Sequence, residues 1–471
     1  MVNVRKLLSD LFVAFGAQGV SFLCSVVATL LVPKVLGVQE FAYWQLFVFY
    51  ASYVSVFQLG LNDGVYLEHG GEKASGIDKG LVYGELRVGL AYQSAIAVLI
   101  AGYGLLFEPD AGRGAVILSS AVYLLLSNTT FYISFIFQAM NETKIASYAT
   151  IVNRGAYLIP LIACVMLRVD DFRIYVVFYL VAQALSLGYC LWKWRGFLAV
   201  APVAFAQAAR STFASMKLGI VLTVANVTGM LIMGLARVAI DLMWGLSAFG
   251  EVSLSLSIVN FALVFISQAA MVMFPALRAA DRSRESSYYQ LLRDGLGALL
   301  PVAMLLYAPL RALVALWLPQ YADSLLYLAF LFPLCLFEVQ TNLTVATFLK
   351  VRCDPKALLA VNGVALACCV FAQIIAIVVF GTPVACIVAS LVGVAMRYVA
   401  GTAYLGHVYG TRNPKLLICT LAESVAFAVI AYALPLAWSF VACLLLLLVH
   451  FAICAPELHA LMAKLRNVRG K

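Results

Sequence analysis

A run of about twenty apolar residues with almost no charge recurs fourteen times along this chain, and no other feature constrains its fold so strongly. A helix needs roughly twenty residues, at 1.5 Å each, to cross a bilayer's hydrocarbon core. The runs fall near 10–33, 41–61, 86–107, 115–138, 145–167 and 173–194, then near 215–240, 247–275, 291–317, 325–349, 357–380 and 384–405, and finally near 415–432 and 437–455. Hydrophobic residues make up 64% of the 471 and charged ones 11%, with a mean hydropathy of +0.99. A soluble domain carries nearer a quarter charged residues and could not hide this much apolar surface. In hydrocarbon, each backbone N–H and C=O must be paired within its own segment, which makes the runs helices. The chain reads as an all-α polytopic membrane protein with about 14 transmembrane helices.

The Lys and Arg residues set the expected orientation. With the N-terminus inside, 24 of the 31 fall in inner segments: among them Arg5 and Lys6, Lys73, Lys144, Lys193, Arg282 and Arg284, Lys350, Arg397, Arg412, and the tail Lys464, Arg466, Arg469 and Lys471. Five (Lys34, Arg113, Arg168, Arg173 and Arg311) are outside, and Arg154 and Arg237 fall inside spans. This asymmetry predicts cytoplasmic N- and C-termini. It also explains the net charge of +9 as topology rather than as a nucleic-acid surface, so no nucleic-acid partner is expected. The first run is too long for a signal h-region and reads as a retained span. The eleven cysteines show no CxxC and lie almost entirely in apolar runs, where thiols pack as small hydrophobes. No GxxxxGK[ST] loop, histidine ligand spacing or nucleophile–base constellation stands out, so neither ATP binding of that kind, nor a metal, nor catalysis is indicated. The outer connections, such as "FEPDAGRG" and "WLPQYADS", are too short for an outer catalytic domain.

The chain also reads as built twice. "VLGVQEFAYW" (35–44) aligns with "MWGLSAFGEV" (243–252), pairing Gly37 with Gly245 and Phe41 with Phe249. "NTTFYISFIFQAMNETK" (128–144) aligns with "QTNLTVATFLKVRCDPK" (340–356) at nearly the same offset. Repeated halves around a central site are a common transporter plan. The expected organisation is a first lobe of six helices over 1–194, a linker over 195–214, a second six-helix lobe over 215–410, and a C-terminal helix pair with a basic tail over 411–471.

Ionisable groups deep in a span cost about 3 kcal/mol on insertion scales and mark functional candidates. Arg154, in "ATIVNRGAYLIP", lies near mid-span, and Pro160 follows it. Its expected role is anion binding, against a plain pairing with backbone or a neighbouring helix. Arg237 and Asp241 are spaced i, i+4, so they can pair with each other or line a cavity. Glu338, beside Gln340 and Asn342, and Asp241 are candidates for ion coupling, because a buried carboxylate can titrate near neutral pH. Glu423 reads as structural. Gln18, Gln45 and Asn226 belong to polar faces that either line a wet cavity or join helices. Tyr43, Trp44, Tyr50 and Tyr53 suit either sugar stacking or an interfacial belt.

The segment "VPKVLGVQEFAYWQLFVFYASYVSVFQLGLNDGVYLEHGG" (32–71) resembles the N-terminal signature of polysaccharide transporters, the Wzx-type flippases of lipid-linked oligosaccharides within the MOP superfamily. The Pro-basic-x-Leu-Gly pattern, the aromatic "FAYWQ" start of the second span and its "LGLNDG" exit carry the resemblance, and "FQAMNETK" is similar to that family's fourth-span exit. With the helix count it covers essentially the whole chain. It implies a MOP/MATE-like fold in a bacterial inner membrane. The cargo would be an undecaprenyl-diphosphate-linked glycan, flipped to the outer leaflet by alternating access. A proton or sodium gradient would drive the step, no bound cofactor would be needed, and other polysaccharide-assembly membrane proteins would be partners. Arg154 matches a commonly basic position of the fifth span and fits the cationic cavity this implies. The rivals are a lipid II flippase or multidrug/cation antiporter of the same superfamily, a membrane-embedded polymerase or ligase, and a scaffold. Which glycan is carried is not written in these residues.

Within the second-span exit, Gly60 and Gly64 suit a helix terminus and turn, and Asn62 and Asp63 can bond exposed backbone. At a cytoplasmic mouth, Asn62, Asp63 and Tyr66 would meet entering sugars, with the glycines as a hinge.

Overall fold

The computed structural model describes residues 4–71, 76–279, 285–321 and 324–458. Lys73, Arg282, Arg284, His459 and the tail Lys464, Arg466, Arg469 and Lys471 lie outside the described residues. By contacts the chain forms two compact units, Met1–Val227 and Thr228–Lys471. Along the first run α1 (Val4–Val26), α2 (Val32–Tyr53), α3 (Leu61–Glu68), α4 (Lys79–Leu106), α5 (Ala111–Ala139), α6 (Thr143–Met166), α7 (Phe172–Leu198) and the start of α8 (Phe205–Ala279). The second holds the rest of α8, then α9 (Glu285–Leu299), α10 (Tyr307–Trp317), α11 (Ser324–Gln340), α12 (Thr347–Val351), α13 (Pro355–Ile375), α14 (Pro383–Val408), α15 (Pro414–Ala433) and α16 (Leu436–Ile453).

Among the described residues twelve helical stretches are long and apolar enough to cross a membrane. Two of them, Phe12–Gln58 and Phe205–Asn260, run 47 and 56 residues, roughly 70 and 85 Å at 1.5 Å per residue, twice or more what one crossing needs. Each is two helices joined at a glycine. Gly37 has φ 71° and ψ 177°, and Gly245 has φ 84° and ψ −180°. No Cβ tolerates that region of backbone space, so only glycine breaks the helix there without strain. Counted as pairs, these two stretches bring the total to the fourteen expected spans.

The same two glycines are the ones the sequence repeat aligns, and Phe41 and Phe249 after them are both buried. The second aligned pair agrees as well. Asn141 (φ 60°) follows the end of α5 and Cys353 (φ 55°) that of α12. In each case the next N–H reaches back to a helix carbonyl, Glu142 to Phe137 at 2.8 Å and Asp354 to Leu349 at 3.0 Å. This is the left-handed cap that satisfies a helix's orphan carbonyls. Equivalent backbone devices at equivalent offsets are what an internal repeat should leave behind.

Helix starts follow local chemistry. Asp78, Asp110 and Asp171 accept from the first backbone N–H groups of α4, α5 and α7. Asp354, Thr382 and Asn413 do so for α13, α14 and α15, each followed at once by proline, whose missing N–H costs nothing there. Among the described residues ten cysteines are free thiols, most of them buried, as the packing role predicts.

Two expectations change. Gly64 is no helix terminus. Gly60 (φ 89°) does break the chain, but Gly64 lies inside α3, against α8 of the same unit. A Cβ on Gly64 would sit 1.8 Å from the Ser215 carbonyl oxygen, and one on Gly219 would sit 2.1 Å from that of Gly60. The glycines are a contact surface on which two backbones meet, the small-xxx-small arrangement of membrane helices. Second, Arg397 is not in a cytoplasmic gap. It lies near the middle of α14 with 9% of its surface exposed.

Candidate functional site

In the first unit, Arg154 stands in mid-α6 and is half-buried. Its guanidinium lies over the Tyr179 ring, 6.0 Å from the centroid, and has no carboxylate partner among the described residues. Tyr179 is the hub of an aromatic cluster, with Tyr157 at 5.1 Å, Tyr123 and Phe47 at 5.5 Å and Trp44 at 5.8 Å between ring centroids. Neighbouring helices hold the α6 segment in place. Cys24 donates to the Arg154 carbonyl (3.1 Å), Asn153 donates to Gln183 (2.5 Å), and Gln183 donates on to Thr130 (3.1 Å). The Tyr157 hydroxyl, three residues on, is buried without a partner among the described residues. A cation–π contact supplies about 0.5–2 kcal/mol, and a side-chain hydrogen bond with Tyr179 engages part of the five-donor guanidinium. Arg154 is thus a positioned cation held against a tyrosine, with no carboxylate partner among the described residues.

Two of the four candidate aromatics of α2 are not a sugar platform, while Tyr50 and Tyr53 are half-buried. Trp44 is 2% exposed, and Tyr43 stacks on Phe172 (5.0 Å) while its hydroxyl donates to Asp110 (2.7 Å). Both are core. Gln45 is buried as well, Gln18 is half-buried on α1, and Asn226 is exposed on α8.

The three candidates on α3 divide. Asn62 is buried, and Asp63 accepts from Thr223 of α8 (2.5 Å). Tyr66 is exposed, edge-on to Phe135. Asp63 belongs to a polar seam along the first part of α8: Ser215 donates to Glu68 (2.8 Å), and Ser211 donates to Glu85 (2.7 Å), which also accepts from Tyr132 (3.0 Å). Glu85 is 1% exposed. Sequence reasoning passed over it because it sits at the edge of the third apolar run, where carboxylates are ordinarily solvated.

In the second unit, Arg237 donates to Ser253 through Nε (3.2 Å) and Nη2 (2.8 Å) and lies over the Phe249 ring (4.9 Å). These contacts reach across the Gly245 break. Asp241, one turn on, is half-buried. Glu338 has a partner the sequence did not suggest. Its Oε1 is 3.3 Å from Nη1 of Arg397, and its Oε2 accepts from Asn342 (3.1 Å). Arg397 donates through Nε to Asn362 of α13 (2.8 Å). Directly after Glu338 the helix widens into a π segment, Thr341–Ala346, a form concentrated at functional positions. In the C-terminal pair, Glu423 and His450 form a second buried ion pair (3.0 Å), and the other His450 ring nitrogen is 3.2 Å from the Ala298 carbonyl oxygen. This contact ties α15 and α16 to α9, as the structural reading of Glu423 anticipates.

No family model matches the sequence, and no curated protein matches it in sequence either. Solved structures do match the fold. An inward-facing multidrug-resistance MATE family transporter of the MOP superfamily superposes with a TM-score of 0.61 at 11% identity, over 84% of this chain and 96% of its own. The lipid II flippase MurJ, in an inward closed conformation, gives 0.57 at 12% identity over 96% and 99%. An outward-facing MATE family transporter gives 0.57 at 13% identity over 85% and 94%. At these identities the likeness speaks for the backbone alone, and it spans nearly the whole chain: this protein has the fold of the MOP-superfamily transporters.

Proposed function

We propose that the protein is a flippase of lipid-linked oligosaccharides. It would carry an undecaprenyl-diphosphate-linked repeat unit from the cytoplasmic to the outer leaflet of a bacterial inner membrane by alternating access, for surface polysaccharide synthesis. The observation that carries this reading is Arg154. A cation with no carboxylate partner among the described residues, held at mid-span against Tyr179, suits a diphosphate that cannot cross hydrocarbon alone. The fold supplies the transport framework, and the 32–71 resemblance supplies the class of cargo. In this reading the cargo is turned over without being chemically changed, and a proton or sodium gradient, with Glu338 and Asp241 as candidate carriers, powers the cycle.

A second reading is a lipid II flippase, favoured by the MurJ match over 96% of this chain and 99% of that one. Both cargoes present a diphosphate, so Arg154 serves either. A cation extruder fits less well, because the unpaired deep charge is basic.

The test is genetic. Deleting the gene should make lipid-linked repeat units accumulate on the cytoplasmic side with loss of surface polymer, and Arg154→Ala at equal expression should reproduce this. Unchanged polymer with no precursor build-up sinks the proposal. Rescue of a strain depleted of its lipid II flippase would move the assignment to the second reading.

A further inference from the structure

We infer that Arg397 is a second anion-binding cation, held masked by Glu338 and released when Glu338 takes up a proton. The inference deepens the function proposed above and rests on the anionic cargo it assigns.

Both residues lie near the middle of membrane-spanning helices, Glu338 within Ser324–Val351 and Arg397 within Pro383–Val408. Their side chains are 14% and 11% exposed. A charge buried this deeply needs a partner, and each is the other's: Oε1 and Nη1 are 3.3 Å apart. The contact is single and somewhat long, not the bidentate fork of a pair at its strongest. The remaining interactions hold each group without its partner. Asn362 accepts from Nε of Arg397, and Asn342 donates to Oε2 of Glu338. Gly229 of α8 lets the guanidinium pack close against the helix, since a Cβ there would come within 3.4 Å of Nη2. One turn from Glu338, the Thr341 hydroxyl is fully buried with no partner among the described residues.

Arg397 is the charged group facing Glu338. Other ionisable groups on the helices packed around α11 are engaged elsewhere: Arg293 with Asp294 on α9, Arg311 with Tyr307 and the Ala431 carbonyl, Glu423 with His450, and Asp354 with Tyr404. On α8, Arg237, Asp241 and Glu251 lie more than two turns beyond Gly229. One proton added to the Glu338 carboxylate neutralises it and ends the ion pair. The guanidinium keeps its charge and accepts an oxyanion in the carboxylate's place. One proton enters as one cargo anion binds, which couples the two.

The test uses the full chain in nanodiscs, with farnesyl diphosphate as probe and free glucuronate as the alternative anion. Comparing variants at one pH cancels the probe's own ionisation. Glu338→Gln keeps an acceptor for Asn342 and should bind the diphosphate about tenfold more tightly than wild type at pH 8. Arg397→Gln should abolish that gain when combined with Glu338→Gln, a double change that removes both buried charges and so folds more readily than either single loss. Calorimetry of wild type in buffers of differing ionisation enthalpy should show proton uptake beyond the probe's own, a reading that needs no variant. Affinity of Glu338→Gln within twofold of wild type at pH 8, survival of its gain in the double variant, or absence of extra proton uptake overturns the inference. A response to glucuronate alone overturns the diphosphate assignment. Cell export separates the two proposals: if export depends on the gene but Glu338→Gln binds like wild type, only the latch fails. If the latch is found but deletion leaves the polymer intact, only the glycan reading fails.

Discussion

Replacing Gly64 with alanine tests the reading of the "LGLNDG" stretch as a packing surface. The new Cβ would lie 1.8 Å from the Ser215 carbonyl oxygen and 2.5 Å from its carbon. Both are backbone atoms, so no rotamer change relieves the clash, and α3 must move away from α8. Overpacking costs about 1–3 kcal/mol where side chains can adjust, and a backbone contact belongs at the upper end. Alanine also gains up to about 1 kcal/mol of helix propensity over glycine. Gly188→Ala shares that gain, but a Cβ there meets nothing within 4 Å. The difference between the two variants therefore isolates the clash, at about 3 kcal/mol. For a unit of this size that is roughly 6–12 °C in melting temperature. Thermal unfolding of the detergent-solubilised variants, followed by tryptophan fluorescence, reads it directly. Melting of Gly64→Ala within about 2 °C of Gly188→Ala would refute the backbone contact.

Gly37→Ala and Gly245→Ala should each lose about 1–3 kcal/mol of stability from backbone strain alone, since no atom lies within 4 Å of either Cβ, and similar losses at the two would support the repeat. A neutral outcome at either in the same melting assay counts against the positive φ. His450→Ala should cost about 3–5 kcal/mol by stranding Glu423, and Glu423→Gln with His450→Gln should recover most of it. A double variant as unstable as the single would show that the charge is not what matters. Burial raises the Asp110 carboxyl, but the hydrogen bonds from Tyr43 and from the Arg113 and Gly112 N–H groups outweigh it and hold the group below its ordinary value of 3.8. Its contribution is therefore fully present above about pH 4 and is lost as pH falls through the depressed value. Tyr43→Phe should shrink that acid-side loss in a pH series of melting curves, and an unchanged series would contradict it.

Much of the scaffold was legible because its rules are local. The spans follow from the lengths of the apolar runs. The repeat alignment pairs Gly37 with Gly245, and both are helix breaks that depend on the glycine's own backbone freedom. The same logic misled at Gly64, where a glycine near a helix end was taken for a terminus. A glycine kept for its missing side chain and one kept for its φ are written with the same letter.

By itself, then, the sequence determined that the chain is a bundle of membrane helices, roughly which segments span, and that Arg154 lies in the middle of one. Only the tertiary structure decided what each buried charge faces. Glu338 and Arg397 are 59 residues apart and Glu85 and Ser211 are 126 apart, and no periodicity links either pair. Whether a deep arginine is free or masked depends on which helix faces meet, and that follows from packing summed over the whole unit. For that reason Arg397, on its basic content alone, read as one more loop cation, and in the folded chain it is the buried partner of Glu338.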